Sequence, residues 1–174
     1  MNIYLTGAHS TGKSTVAQII KERTGFCTVP SVSRNSPYEM GTEEHQRYVM
    51  DKVFYQYSKY DGLILERSPL DVYAYTKLMQ IESEYGRQKM KVEAFFRGIG
   101  HSDSPIFYFP IYFDLEHDGI RPGQEEQVEI DKFIVSYLQK NNIDYYTIPD
   151  TTPEERADFI LERVAENASV RLSQ

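Results

Sequence analysis

Residues 7–14 read Gly7-Ala8-His9-Ser10-Thr11-Gly12-Lys13-Ser14, which fits the pattern G-x-x-x-x-G-K-[ST]. Two glycines allow a tight turn whose backbone N–H groups point inward, and a following helix would add the positive end of its dipole. We expect Lys13 to contact the outer phosphates of ATP and the Ser14 hydroxyl to bind a bridging Mg²⁺. The residues expected to surround the phosphates are Gly7, Ala8, His9, Ser10, Thr11, Gly12, Lys13, Ser14 and Thr15.

The flanks of this loop have the pattern that such a motif requires. Residues 2–6 form a short β-like run before it. Val16, Ile19 and Ile20 follow it at helical spacing, and Gly25 is placed to end that helix. A strand, a glycine-containing loop and a helix therefore follow one another at the start of the chain.

The composition limits the kind of molecule. With 174 residues and 40% hydrophobic content, the chain predicts one domain spanning residues 1–174. The net charge of −7 excludes binding of nucleic acid or anionic membrane by bulk attraction. A single cysteine, Cys27, excludes an internal disulfide and suits a reducing compartment. No apolar run approaches the length of a membrane span, so we expect a soluble, cytoplasmic protein with no membrane partner.

A second informative stretch is the run Leu63-Ile64-Leu65-Glu66-Arg67-Ser68, an apolar strand that ends in an acid and a base. At the carboxyl end of a strand beside the phosphate loop, Glu66 could hold Mg²⁺ or accept a proton from an attacking hydroxyl. Arg67 would offset the charge on the transferred phosphate. Ser68 to Asp71 then form a capping-box pattern that opens another helix.

Two further groups of basic residues could contact a substrate phosphate. Arg34 lies in a Ser-, Asn- and Pro-rich loop, residues 31–40, after a second predicted strand. The helix predicted over residues 86–100 carries Arg87, Lys89, Lys91 and Arg97 against one acid, Glu93. This helix could meet a nucleotide phosphate or a DNA backbone, or could simply present a solvated face.

Residues 114–124 predict a lid. The segment is rich in polar and turn-forming residues and follows an aromatic, β-like run at residues 105–113. Arg121 would close over the phosphates when the nucleotide binds, which would exclude water and add positive charge.

Five strand-like segments alternate with helices along the chain. This order predicts an α/β fold with a doubly wound parallel sheet of about five strands and helices on both faces.

The phosphate loop, the strand that ends in Glu66-Arg67-Ser68 and the lid sequence Asp118-Gly119-Ile120-Arg121 resemble the P-loop nucleoside and nucleotide kinases. The resemblance is greatest to the thymidylate-kinase-like and deoxynucleoside-kinase-like group, including small phage-type kinases. It implies catalytic roles for Lys13, Glu66, Arg67 and Arg121, with ATP and Mg²⁺ as cofactors.

One departure from that group bears on the acceptor. Nucleoside kinases of the group usually carry a glutamate just after the second strand as general base, whereas this chain has Val29-Pro30-Ser31 there. A hydroxyl acceptor gains from such a base, while the phosphate of a nucleoside monophosphate is already anionic. The absence favours a monophosphate acceptor, although Glu66 or Glu39 could still supply the base.

Three functions remain open from the sequence. The first is an ATP-dependent kinase acting on a deoxynucleoside monophosphate or nucleoside. The second is a phage-type kinase that phosphorylates the hydroxymethyl group of a modified pyrimidine, 5-hydroxymethyluracil, within DNA. The third is an NTP-binding regulatory switch, although the Asn-Lys-x-Asp motif that reads guanine is missing from the sequence. The sequence does not specify the oligomeric state.

Overall fold

Five short parallel strands form the centre of the structure. They are β1 (Ile3–Thr6), β2 (Cys27–Val29), β3 (Leu63–Leu65), β4 (Ile106–Tyr108) and β5 (Tyr146–Thr147). Their order in the sheet is β2-β3-β1-β4-β5, and every adjacent pair is parallel. The structure is a computed structural model that describes residues 1–29, 31–59, 62–102, 104–113 and 123–171.

Helices connect the strands. They are α1 (Lys13–Thr24), α2 (Glu43–Lys59), α3 (Pro69–Leu78), α4 (Tyr85–Ser102), α5 (Gln124–Lys140) and α6 (Pro153–Arg171). Local sequence sets several of their ends. Gly25 ends α1 in the left-handed conformation, with φ of 74°. Ser68 and Asp71 form the predicted capping box of α3, and the Thr42 hydroxyl accepts a hydrogen bond from His45 N–H at the start of α2.

The alternation of side chains along the strands divides the core into two faces. Ile3 and Leu5 of β1 pack with Ile20 of α1 and Ile160 of α6 on one face. Tyr4 points to the other face, where it packs with Phe95 of α4. Helices therefore cover both faces, and the predicted α/β class with a doubly wound, five-stranded parallel sheet is confirmed.

The register brings the ends of three strands together at one edge of the sheet. Tyr4 pairs with Leu65, so the phosphate loop after β1 lies beside Glu66 after β3. Thr6 pairs with Tyr108, which places Phe109 on the other side of the loop. The carboxyl ends of parallel strands are where α/β proteins bind ligands, and the candidate residues fall there.

The observed strands are shorter than the sequence suggests. The β-like run at residues 105–113 yields a strand only at Ile106–Tyr108, and Pro110 has no N–H to continue the ladder. Part of the predicted loop at residues 31–40 instead forms a 3₁₀ helix, Val32–Asn35. Within the described ranges, no helix combines the length and apolar character that a membrane crossing needs.

Candidate active site

The phosphate loop depends on its two glycines. Gly7 has φ of 141°, and a Cβ there would lie 2.6 Å from the carbonyl oxygen of Phe109. Gly12 has φ of 89° and precedes the first turn of α1. Both values disfavour an L side chain, and at Gly7 the backbone of the neighbouring strand also leaves no room for one. The loop path therefore requires glycine, as the motif predicts.

Lys13 folds back over the loop. Its Nζ donates hydrogen bonds to the carbonyl oxygen of Gly7 at 2.8 Å, to the carbonyl oxygen of Ala8 and to Thr11 Oγ1 at 3.1 Å. Thr11 in turn donates to the Ala8 carbonyl at 3.0 Å. The lysine ammonium thus lies directly at the loop, where its charge can act on a bound phosphate.

Ser14 and Glu66 meet at the carboxyl edge of the sheet. The Ser14 hydroxyl donates to Glu66 Oε2 at 2.5 Å, and Glu66 follows β3 directly. A hydroxyl and a carboxylate at one point fit Mg²⁺, which commonly takes one or two protein ligands and completes its shell with water and phosphate. No group of three or more His, Cys, Asp or Glu side chains suited to a metal occurs among the described residues. The pair is therefore the candidate Mg²⁺ site in that part of the chain.

Asp71 binds the start of the phosphate loop through hydrogen bonds. Its carboxylate, which is fully buried, accepts hydrogen bonds from the Thr6 hydroxyl at 2.6 Å and from Gly7 N–H at 3.0 Å. It also accepts from Ser68 N–H at 2.8 Å as part of the helix cap. Burial raises the pKa of Asp71, although the nearby charge of Lys13 acts in the opposite direction. Sequence analysis identified the cap but missed the contact with Gly7.

His9 and Arg67 are joined through Tyr75 of α3. His9 Nδ1 lies 2.7 Å from the Tyr75 hydroxyl, and Gln127 of α5 donates to the His9 carbonyl oxygen at 2.7 Å. The guanidinium carbon of Arg67 lies 5.0 Å from the centroid of the Tyr75 ring, within cation–π distance. Arg67 is therefore placed next to the phosphate loop, as its position after β3 predicted.

The segment after β2 brings serines and a histidine to the same edge. Ser33 Oγ lies 3.1 Å from His45 Nε2, and the Ser31 hydroxyl is buried without a hydrogen-bond partner among the described atoms. Burial lowers the pKa of His45, the Tyr38 backbone opposes this shift, and the charge of Arg67 adds to it. The net shift in pKa favours the neutral form of the imidazole.

Two predicted site residues cannot be placed in full. Arg34 falls in the 3₁₀ helix Val32–Asn35, and its side chain is outside the described part of the structure. Arg121 and residues 114–122 of the predicted lid also lie outside the described residues.

Arg156, in the first turn of α6, lies beside the phosphate loop and is a candidate site residue that the sequence analysis missed. It is 5% exposed, and its guanidinium carbon lies 5.3 Å from the Tyr112 ring centroid and 5.8 Å from that of Phe113. Its Nη1 lies 3.5 Å from the position that a Cβ on Gly12 would take. Asp150 is 3.5 Å away, and Arg156 Nε has no hydrogen-bond partner among the described atoms. The sequence signal for it is only its position in the helix that follows β5, on the side of the sheet where strands end.

The basic charges of α4 are largely paired with acids. Arg87 donates to both carboxylate oxygens of Asp51 at 2.7 Å, and Lys91 binds the same carboxylate. Arg87 and Arg47 also flank Glu84, at 3.3 and 2.6 Å, and that side chain is only 2% exposed. These charges are paired with Asp51 of α2 and with Glu84, which immediately precedes α4, and this pairing weakens the hypothesis that the helix binds a phosphate or a DNA backbone.

A groove of about 1120 Å³ lies at the opposite edge of the sheet. It is lined in part by Phe96, Tyr137, Asn141 and Tyr145, near the amino ends of β4 and β5. Since the phosphate loop follows the carboxyl end of β1, this groove is separate from the candidate catalytic groups.

Comparison with known proteins supports the fold. Residues 2–156 match a family model described as an AAA domain. No curated protein matches the sequence.

Among solved structures, a deoxyadenosine kinase from M. mycoides with dCMP and dCDP bound is similar, with a TM-score of 0.67 and 13% identity over 95% of this chain and 99% of that one. Shikimate kinase from Acinetobacter baumannii in complex with shikimate has a TM-score of 0.61 and 16% identity, over 95% of this chain and 93% of that one. YorR from Bacillus subtilis in complex with phosphorylated GDP has a TM-score of 0.62 and 17% identity, over 95% of this chain and 96% of that one. The predicted resemblance to P-loop kinases is confirmed at the level of the fold.

Proposed function

Since the chain belongs to the AAA-domain family matched over residues 2–156, we propose that it is an ATP- and Mg²⁺-dependent phosphotransferase whose acceptor is a nucleoside monophosphate or a nucleoside. The observation that carries the proposal is the contact between Ser14 and Glu66 beside Lys13 at the carboxyl edge of the sheet. A hydroxyl, a carboxylate and an ammonium at this point provide what a triphosphate and its metal ion require.

The donor nucleotide lies along the phosphate loop in this proposal. Backbone N–H groups at the start of α1 bind its phosphates. Lys13 Nζ then releases the carbonyl oxygens of Gly7 and Ala8 and binds phosphate oxygens in their place. Arg156 supplies a planar cation beside Gly12, next to the ring of Tyr112. A planar guanidinium can stack on a base, so Arg156 is proposed to bind the base of ATP.

In the transfer step, charged groups of the protein surround the phosphoryl group that moves from the donor to the acceptor. An acceptor oxygen forms a bond to the γ-phosphorus while the bond to the β–γ bridging oxygen breaks, and ADP leaves with that bonding pair. Bound Mg²⁺, held by Ser14 and Glu66, would neutralise charge on the β- and γ-phosphate oxygens. Lys13 and Arg67 stabilise the remaining charge, and Arg121 is proposed to close over the site from the lid.

The residues on the acceptor side of the site favour an anionic acceptor over a hydroxyl acceptor. Directly after β2, where nucleoside kinases of the group usually carry a glutamate, the chain has Ser31 and Ser33 with His45 nearby, and Arg67 adds a positive charge. A phosphate acceptor is already nucleophilic and needs positioning more than a base. We therefore propose a nucleoside monophosphate ahead of a nucleoside.

The similar structures support a nucleoside or nucleotide acceptor in general and do not rank the two, since the M. mycoides protein is a deoxyadenosine kinase whose bound dCMP is a product. The M. mycoides kinase holds dCMP and dCDP, and YorR holds phosphorylated GDP. Shikimate kinase holds shikimate, so the fold also accommodates an acceptor that is not a nucleotide.

The test is transfer of labelled γ-phosphate from ATP to a panel of nucleosides, nucleoside monophosphates and DNA with hydroxymethylated pyrimidines. Lys13→Ala serves as the blank. Label on a monophosphate supports the proposal, and label on a nucleoside corrects the acceptor class. Label on DNA alone would replace it with the DNA-kinase hypothesis, and hydrolysis of ATP without any labelled acceptor would replace it with the switch.

A further inference from the structure

We propose that Tyr75 is a positioning residue that fixes the phosphate loop and Arg67 relative to each other through two separate contacts. This inference rests on the proposed function, in which the loop binds the donor and Arg67 acts on the transferred phosphate. One side chain would then align both sides of the reaction.

The hydroxyl of Tyr75 holds the loop. It lies 2.7 Å from Nδ1 of His9, which is a buried residue of the loop itself. Gln127 fixes the backbone carbonyl of the same residue from α5. Water cannot readily replace a hydrogen bond between buried groups, so this contact limits how far the loop can move relative to α3.

The ring of Tyr75 holds Arg67. Their separation of 5.0 Å is within the range of a cation–π interaction. In the described part of the chain, no carboxylate lies within ion-pair distance of Arg67, whereas Arg47 and Arg87 both have such partners. An aromatic face attracts the guanidinium without using its N–H donors or neutralising its charge. Arg67 is thus held in place while its donors stay available for a phosphate.

The two contacts can be separated by substitution. Tyr75→Phe removes the hydroxyl and keeps the ring, while Tyr75→Leu removes both. Tyr73 on the same helix provides the matched control, because the two tyrosines are buried to nearly the same degree, at 5% and 7% exposed. Tyr73 packs against Tyr85 and Phe133, with Lys77 over its ring, and makes no described contact with the phosphate loop.

The experiment measures two properties that need no acceptor. The first is the rate at which phenylglyoxal modifies Arg67, followed by mass spectrometry of its peptide. The second is the affinity for ATP with Mg²⁺. We expect Tyr75→Leu to raise the modification rate severalfold. We expect Tyr75→Phe to leave that rate within about twofold of the unsubstituted protein but to weaken ATP binding by about two- to tenfold, the range for one hydrogen bond. Tyr73→Phe and Tyr73→Leu should change neither property.

Two outcomes would overturn the proposal. If Arg67 reacts equally fast in Tyr75→Leu and Tyr73→Leu, the ring does not position it. If Tyr75→Phe binds ATP as tightly as the unsubstituted protein, the hydroxyl does not hold the loop. Neither measurement depends on phosphoryl transfer. If no acceptor in the panel is labelled, the proposed function is contradicted, but the results for Tyr75 can still be interpreted.

A fluorinated series keeps the test usable if Tyr75→Leu does not fold. Phenylalanines with one to three ring fluorines at position 75 preserve the shape of the ring and progressively weaken its negative face. Modification of Arg67 should then accelerate with each fluorine, and an unchanged rate across the series would contradict the role of the ring.

Discussion

Two clusters of charged residues contain many of the ionisable side chains discussed above, and they differ in how the charges are satisfied. At the carboxyl edge of the sheet, Lys13 binds loop carbonyls and a hydroxyl, and Arg67 lies on an aromatic ring. Between α2 and α4, Arg87 and Lys91 share the carboxylate of Asp51.

The two clusters differ in the groups that contact their cations. A cation paired with a carboxylate must break that pair to bind a phosphate, whereas a cation held by carbonyls or a ring keeps its full charge. By composition, α4 carries the most basic patch of the sequence, and the sequence left open whether this patch binds an anion or presents a solvated face. The structure favours the phosphate-loop edge, because Lys13 contacts loop carbonyls there and Arg67 lies against an aromatic ring. The predictions below test this contrast.

The largest expected effect is the loss of transfer in Lys13→Ala. Lys13 is proposed to hold the outer phosphates, so we expect turnover to fall by at least about a thousandfold, as for loss of a principal charge in phosphoryl transfer. The thermal midpoint should change little. Lys91→Ala is the control, since its charge is paired with Asp51, and it should retain near-normal turnover. Equal losses of turnover in Lys13→Ala and Lys91→Ala would contradict the difference proposed between the two clusters.

Glu66→Gln comes next. It keeps the shape of the side chain and removes the negative charge next to Ser14. We expect turnover to fall by about a hundredfold or more, the range for a residue that acts on metal or proton in the reaction. ATP affinity in the absence of metal should be unchanged. An unaltered rate at saturating Mg²⁺ would exclude Glu66 from the mechanism.

Arg156→Leu tests the proposed base contact. We expect the KM for ATP to rise by about tenfold, consistent with loss of a buried stacking cation, while kcat changes little. Arg163 provides a control on the same helix, because it pairs with Glu166 at 2.5 Å near the surface. A similar KM in Arg156→Leu and Arg163→Leu would contradict the assignment.

Arg87→Gln tests the paired cluster directly. It leaves the buried Glu84 with Arg47 as its remaining partner. We expect the free energy of unfolding to fall by about 1 kcal/mol, near the upper end for partly exposed pairs. Turnover and the KM of the acceptor should be unchanged. A raised acceptor KM would show that α4 contacts the substrate after all.

The smallest expected effect is a pH dependence that Asp51 contributes to stability. Burial acts to raise the pKa of Asp51, but hydrogen bonds from Lys91 and Arg87 outweigh it and lower the pKa below its ordinary value of 3.8. Since the folded pKa is the lower one, this stabilisation is full above about pH 4 and is lost as pH falls through the folded value. The difference in unfolding free energy between the protein and Asp51→Asn should therefore shrink in acid. A difference that stays constant down to pH 2 would contradict the pairing.

The sequence predicted the features that depend on neighbouring residues. The phosphate loop, the left-handed end of α1 at Gly25 and the cap formed by Ser68 and Asp71 are all recognisable within a few positions. It also predicted that Glu66 would lie beside the loop, because parallel strands end at a common edge.

Contacts between distant segments could not be predicted in this way. The bond from Gly7 to Asp71 spans 64 positions, and the bond from Gln127 to His9 spans 118. No periodicity links such pairs, since they meet only after helices have packed on the sheet. The pairing of Arg87 with Asp51 was missed for the same reason, because it joins one helix face to another.

The central position of β1 also has a consequence for how the protein is made. The strand that carries the phosphate loop is synthesised before its partners β3 and β4, which begin only at Leu63 and Ile106. Asp71 follows β3, and Phe109 and Gln127 follow β4, so the residues that surround the loop are also synthesised after it. A ribosome-bound chain therefore holds an unpaired central strand until β3 and β4 have been synthesised, and such strands are prone to aggregate. The complete phosphate loop requires residues up to Gln127, and once these have been synthesised ATP can act as a ligand that selects the folded form.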